Sequence, residues 1–401
     1  MFIIGDNIIS SLGFTTEENF NAVKQGVSGI NQYQADVFDL PEAFMASLID
    51  KERLNDEFNR HCGHGDFTDL EKAAILSIFL ANAEAQIDLS NEKTIFILST
   101  TKGNVKQLTI NNEQLTMNKL MNNQNQCSLF TVNCSLYLWH TAELISNFFG
   151  NPNTPIVVSN ACISGAAAQI AAMRELQSEN YDYAVVVGVD FLSKFIISGF
   201  QSFKALSPEL CRPFDKDRCG LNLGEAAATM IMSNEQLTMN NSARLIAGAI
   251  RNDANHISAP SRTGEGSIRA LKNVLQNIDV NQIAFINAHG TATPYNDAAE
   301  VNAIVRAGLE NVLVNSLKPY FGHTLGAAGV LESIISMRAL EENMVLKSQN
   351  FDEQNFENRI NIAKENYFSD KPYFIKMMSG FGGCNAVLLF EKNRVISGKE
   401  K

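Results

Sequence analysis

Cys162 follows the apolar run Pro155–Ser159 and opens the small-residue stretch SGAAAQIAAMREL, so it is expected at a strand-to-helix turn. A thiol at the first turn of a helix meets unpaired backbone N–H groups and the positive end of the helix dipole, and both favour the thiolate. The small residues Ser164, Gly165, Ala166, Ala167 and Ala168 would let this helix approach a neighbour closely, with its start at the base of a cleft. A buried structural cysteine fits the stretch equally well. A nucleophile needs partners that move protons or hold negative charge, and the chain has only six histidines. His289 follows the run IAFINA, and His323 follows VLVNS a few residues later in SLKPYFGHTLGAAG. Both would lie at carboxyl ends of strands, the edge at which open α/β sheets bind ligands. His61 and His64, in RHCGHGD, look like a metal pair, but without two further ligands at zinc spacing they read as a surface loop. His140 and His256 carry no comparable signal.

The elements that must position these groups are legible as short apolar runs. KTIFILST, PIVVS, YAVVVGVD, IAFINA and NVLVNS are β-rich without alternation, as strands buried on both faces should be. Between many of them lie stretches with apolar residues at spacings of three and four: FTDLEKAAILSIFLANAEAQ, SGAAAQIAAMRELQSE, SIRALKNVLQNI and LGAAGVLESIISMRALEEN. Strands alternating with helices imply an α/β fold with a largely parallel sheet. Laid on itself, the sequence matches GAAAQIAAMREL from Gly165 with GVLESIISMRAL from Gly329. Alone this is near chance, but it sets two strand–loop–helix units opposite each other, as a duplication would. The Asn- and Gln-rich stretch 105–126 reads as a surface excursion or cap, and the tail VISGKEK as a fraying end.

Composition narrows the function classes. The chain has 401 residues, 45% of them apolar, enough for a sizeable core. A formal net charge of −11 argues against nonspecific nucleic-acid binding, which needs a basic face. Seven cysteines without CxxC spacing suggest neither a disulfide framework nor a zinc knuckle, and point to a reducing cytoplasm. The start MFIIGDNIISSLG is interrupted by Asp6 and Asn7, so it fails as signal or anchor, and no run reaches membrane-spanning length.

Taken together, VSNACISGAA, GFQSFKALSPELCRPFDKDRCG, NAHGTATPYNDAAE, LKPYFGHTLGAAGVLE and MMSGFGGCNAVLLF resemble the β-ketoacyl-acyl carrier protein synthases, in that family's order and nearly end to end. These are decarboxylating condensing enzymes of the thiolase-like superfamily, in the Cys-His-His subgroup. The resemblance implies a five-layered duplicated α-β-α-β-α fold, with residues 1–240 carrying the nucleophile and 241–401 the two histidines. It makes Cys162 the thiolate that accepts an acyl group, and His289 and His323 the donors that stabilise the enolate formed as malonyl thioester loses CO2. The backbone of Cys162 and Phe381 would form a second oxyanion hole, and a Lys318–Glu332 pair would support the His323 site. Thr291 and Thr293 match hydroxyls that hold the phosphopantetheine arm, and Phe200 and Phe381 match aromatics of the acyl pocket. Ser258 and Arg212 fall among the substrate contacts, Arg212 at a position for docking acyl carrier protein. Asp297 and Glu300 suit a helix start or the polar network of the site, and both readings stay open. No resident cofactor or metal is implied, and the partners are acyl carrier protein and a second subunit, either a like copy or a related chain.

The sequence departs from that pattern in KDRCGL and GEAAA, which put Cys219 and Ala226 where the family has other residues. Two readings compete with an active synthase: a noncatalytic partner that shapes another subunit's cavity, and a cysteine-dependent thioester hydrolase, which needs a Cys-His pair but no second histidine. The departures tilt the pathway towards specialised polyene or polyketide synthesis over housekeeping fatty-acid elongation.

Overall fold

A computed structural model describes residues 1–105, 136–235 and 243–393. The 105–126 excursion beyond Val105, the boundary at 240 and the VISGKEK tail lie outside the described residues. Eleven strands form one sheet. In chain order they are β1 (Phe2–Ile9), β2 (Thr94–Ser99), β3 (Ile156–Val158), β4 (Tyr183–Asp190), β5 (Ala226–Ser233), β6 (Ala243–Asn252), β7 (Ile283–Asn287), β8 (Leu313–Asn315), β9 (Asn361–Ile362), β10 (Tyr373–Gly380) and β11 (Cys384–Lys392). The spatial order is β9-β8-β7-β10-β11-β6-β1-β5-β4-β2-β3. The sheet is continuous across its middle through the single pairing of Phe2 with Arg244.

The duplication is written in the connectivity. Counting strands by chain order within each half, both halves run 1-5-4-2-3 in space, outwards from β1 in one and from β6 in the other, with β9 added at the second edge. Hydrogen-bond senses match as well. β2 is parallel to β3 and β4 while β5 is antiparallel to β4 and β1; β7 is parallel to β8 and β10 while β11 is antiparallel to β10 and β6. Strands 2, 3 and 4 of the first half and strands 2 and 3 of the second are the apolar runs without polar alternation, as largely parallel strands should be.

Helices make the remaining layers. α1 (Asp69–Ala85) packs on β1, β5 and β4 on one outer face, and begins with a capping box between Thr68 and Glu71. α2 (Ser164–Gln177) and α5 (Ala328–Glu341) occupy equivalent crossovers, from the third to the fourth strand of each half, and pack on each other between the two half-sheets. α3 (Glu265–Val274) and α4 (Pro294–Arg306) cover the other outer face beside the core of Ile268, Leu271, Ile286, Val301 and Ile304. The result is the expected five-layered α-β-α-β-α order.

The central helices meet backbone to backbone. A Cβ on Gly165 would lie 2.9 Å from the Gly326 carbonyl oxygen and the Val330 nitrogen, and one on Gly329 would lie 2.4 Å from the Ala166 nitrogen. The small residues after Cys162 are therefore what lets the two crossover helices touch at their N-terminal ends. The glycines that matched in the self-alignment are the pair in contact. Gly165→Ala is expected to lower unfolding free energy by about 1–3 kcal/mol, the cost of overpacking a close contact. It should appear as a lower denaturant midpoint at unchanged slope, and an unchanged midpoint would show that the helices can separate freely.

Candidate active site

Cys162 sits on a tight elbow between β3 and α2. Ser164 closes it: its hydroxyl donates to the Ala161 carbonyl at 2.6 Å and accepts from the Asn160 N–H at 2.8 Å. Ala161 is held in the left-handed region, φ 46°, a conformation costing a non-glycine residue about 1–3 kcal/mol, which the surroundings must enforce. The elbow lies against the hairpin turn between β10 and β11. A Cβ on Gly380 would come within 3.3 Å of the Cys162 nitrogen, and the Phe381 N–H points at the Cys162 sulfur. The backbone donors at Cys162 and Phe381 therefore border one small space. The glycine-rich turn is a hairpin loop, not a helix start that would cradle phosphate.

The histidines arrive from the second half. His289 follows β7, and its N–H and that of Gly290 both donate to the Glu300 carboxylate, at 2.7 Å each. Asn296 donates to the same carboxylate at 2.8 Å, while Asp297 accepts from the Phe214 N–H at 2.8 Å. Both acids are fully buried, so they belong to the polar network of the site rather than to an exposed helix cap. Burial raises Glu300 to about 7 and Asp297 to about 6, against the N–H donors that favour their charged forms. His323 is pinned by the first half: its N–H donates to the Asn222 carbonyl at 2.7 Å and its carbonyl accepts from Gly224 at 3.0 Å. Leu325, left-handed at φ 53°, turns its N–H onto His323 Nδ1 at 3.3 Å. A neutral imidazole that accepts at Nδ1 carries its proton on Nε2. That Nε2 and His289 Nδ1 are buried with no protein partner. One atom from each of Cys162, His289 and His323 lies within 4.8 Å of the others, and the imidazoles meet edge to face with centroids 5.1 Å apart.

Behind the histidines is a buried ionic triad. Glu332, on α5, receives Lys318 at 2.5 Å and also Lys376 at 2.6 Å, with all three side chains at most 2% exposed. Lys376 reaches further, to the Met377 carbonyl at 3.1 Å and to that of Ala288, next to His289, at 3.3 Å. Burial would raise Glu332, but the two ammonium groups hold it below the usual carboxylate range. Burial and the charges of Lys318 and Lys376 hold both imidazoles well below the usual histidine range, with Lys102 adding to the effect on His323. Cys, His and His are also zinc ligands by type, yet two lysines on one carboxylate leave an excess positive charge that disfavours a divalent cation here.

The resting nucleophile differs from the sequence expectation. Cys162 lies two residues ahead of α2 and is 7% exposed, and burial pushes its thiol up to about 11. Lys102, Lys318 and the Phe381 N–H pull the other way without overcoming that burial. The site at rest is a neutral thiol facing two neutral imidazoles.

A cavity of about 440 Å³ opens onto this cluster. Cys162, His289, His323, Thr291, Thr293, Ser258, Phe200 and Phe381 all line it, and so does Cys219, whose sulfur is 3.2 Å from the Ser207 hydroxyl. Thr291 and Thr293 hydroxyls are 2.9 Å apart, and Phe381 stacks on Phe200 at 5.9 Å. Arg212 is not in the wall. It is partly exposed, with its guanidinium held by Glu209 at 2.8 Å, as a docking position on the surface would be. Ala226 is fully buried in β5. His61 pairs with Glu57 at 3.4 Å on the last turn of the Lys51–Cys62 helix, as a surface histidine does.

Sequence reasoning missed two residues. Asp190, buried at the end of β4, accepts from the Thr101 N–H at 2.9 Å and the Gly326 N–H at 2.7 Å, tying the first half to the loop after His323. Lys376 is the other; its signal was a lysine inside the apolar strand YFIKMMSG, where a buried charge must be paired.

Sequence models of the β-ketoacyl synthase N-terminal domain and C-terminal domain match residues 76–237 and 242–352. The chain is similar to the 3-oxoacyl-[acyl-carrier-protein] synthase 2 of Vibrio cholerae, 34% identical over 258 residues, which cover 59% of this chain and 62% of that enzyme. The match therefore spans less than two thirds of the relative's length. The fold is similar to that of a β-ketoacyl synthase from Burkholderia phymatum, with 25% identity, a TM-score of 0.83, and 98% of this chain and 99% of that one covered. It is also similar to the ishigamide ketosynthase/chain length factor, with 24% identity, a TM-score of 0.87 and the same coverage.

A thiol with its pKa near the value given by burial is almost wholly protonated at neutral pH, and its thiolate fraction grows tenfold per pH unit. Alkylation of Cys162 by iodoacetamide, followed by mass, should therefore keep rising from pH 7 to 9. A plateau below pH 8 would mean that the helix start and the lysines outweigh burial.

Proposed function

The chain belongs to the β-ketoacyl synthase family, and from that premise we propose that it catalyses decarboxylative condensation of a Cys162-bound acyl group with a malonyl thioester carried on acyl carrier protein. The observation that carries this reading is the His323 Nε2–H, fixed as a donor by Leu325 and left unpaired in the cavity beside His289 and the Cys162 sulfur. A hydrolase has no use for a second donor placed there, and a noncatalytic partner has no use for the sulfur.

Each proposed step uses a group that borders the cavity. Cys162 Sγ attacks the acyl carbonyl, the Cys162 and Phe381 N–H groups hold the oxyanion, and the carrier thiol leaves with the cysteine proton. Malonyl thioester then enters, its C–C bond to the carboxylate breaks, and CO2 departs. The electron pair forms an enolate whose oxygen accepts from the imidazole N–H groups. The enolate carbon attacks the acyl carbon, the thioester bond between that carbon and Cys162 Sγ breaks, and one proton from solvent restores the thiol. The pantetheine arm arrives with the substrate, so no resident cofactor enters, and Thr291, Thr293 and Ser258 line its path. Phe200 and Phe381 border the acyl chain.

The partners are acyl carrier protein and a second subunit. β3 ends the sheet with one edge unpaired among the described residues, and its three side chains are half-buried. That edge fits a like copy or a chain-length-factor-like partner. We place the reaction in the cytoplasm, where Cys62, Cys162, Cys211, Cys219 and Cys384 stay as free thiols; no described helix is long and apolar enough to cross a membrane. Product chemistry is that of fatty-acid or specialised polyene and polyketide synthesis.

Incubation with acyl- and malonyl-carrier protein, read by mass, should show an acyl-Cys162 adduct and β-ketoacyl product. Cys162→Ala should lose both while retaining malonyl decarboxylation. His323→Ala should still acylate but lose roughly 10²–10³-fold in decarboxylation, the usual cost of one oxyanion donor. Acylation without condensation would identify a hydrolase, absence of acylation a partner subunit, and a His323→Ala enzyme condensing at wild-type speed would remove the assigned role.

A further inference from the structure

Lys376 is a second ammonium on a carboxylate that one lysine already neutralises. It stands in the middle of β10, with no exposed surface, and its Nζ contacts Glu332 Oε2 and the Ala288 carbonyl together. Those two contacts join separate parts of the site. Glu332 is bonded to Lys318, which opens the loop ending at His323, and Ala288 is the residue before His289. Burying a second charge carries a desolvation cost that a fold needing only the Lys318–Glu332 pair would avoid.

We propose that Lys376 is a positioning residue for the two-histidine site: its ammonium clamps the His289 turn to the Lys318 loop, and its excess positive charge keeps both imidazoles neutral and favours negative charge developing between them. The charged groups around the histidines set the sign. Lys318, Lys376 and Lys102 disfavour imidazolium; Glu332 is spent on two lysines, and Glu300 and Asp297 are engaged by backbone and amide donors on the far side of the His289 turn. The Cys162 thiol is neutral. Burial lowers Lys376 to about 8, against the pull of Glu332, so the excess charge is present at neutral pH and lost as pH rises through that value. The enolate part rests on the ketosynthase reading; the imidazole part does not.

Lys376→Met and Lys376→Arg test both parts. In folded Lys376→Met, histidine ring NMR should show His289 and His323 titrating higher by about one pH unit or more, a tenfold change in proton affinity. Its malonyl-carrier decarboxylation should fall at least about tenfold in kcat with KM within about twofold, while acyl loading of Cys162 stays within about threefold. Lys376→Arg should recover most of that rate and keep it to pH 9, where the wild-type rate has declined. If Lys376→Met does not fold, the alkaline limb of Lys376→Arg decides alone. The proposal is overturned by unchanged titration and kcat in Lys376→Met, by loading, kcat and KM falling together without rescue by Arg, or by an alkaline limb in Lys376→Arg identical to wild type. A wild-type protein that neither acylates nor decarboxylates would fail the ketosynthase reading, whereas the ring titrations would still decide whether Lys376 governs the histidines.

Discussion

The backbone contact between Gly165 and Gly329 is the constraint on which the site depends. Two crossover helices can start side by side only if neither carries a side chain at the crossing. With that contact made, the elbow bearing Cys162 and the loop bearing His323 open on the same side of the middle layer. Other cross-half ties then have short distances to span: Asn222 and Gly224 to His323, and Asp190 to Gly326. The duplicated topology supplies the symmetry. The chemistry comes from breaking it, since one half presents sulfur at this crossover and the other presents imidazole.

Electrostatics in the cleft are governed by dryness more than by pairing. Burial is the largest influence on Cys162, His289, His323, Glu300 and Asp297 alike. The thiol and the two imidazoles are thereby kept neutral, while the triad behind the histidines and Lys102 supply the positive charge felt in the cleft. Such an arrangement spends little on holding an ion at rest and places its donors where charge appears only during reaction.

Much of the site was legible in the sequence because its residues sit in local strings with their own logic. Cys162 precedes a run of small residues, and His289 and His323 each follow a strand. Glu332 falls one helix beyond Lys318. The cysteine and the histidines need only periodicity and the habits of α/β sheets, whereas the Lys318–Glu332 pair rested on the family resemblance. What escaped depended on partners far along the chain. Lys376 and Asp190 are single polar residues in or ending apolar strands, and nothing local says which distant group completes them. Glu300 was ambiguous for the opposite reason: a helix start is a sufficient local explanation for a carboxylate, and only the fold shows it bonded to the His289 turn. The charge on Cys162 was misjudged because a helix start can be read from sequence, whereas the depth at which it lies cannot.

The depth of the thiol at the elbow also bears on its oxidation. Peroxide and stray electrophiles attack the thiolate, and a sulfur kept protonated by its surroundings offers them almost none. The depth that raises the thiol therefore also disfavours the anionic form through which peroxide would act on it.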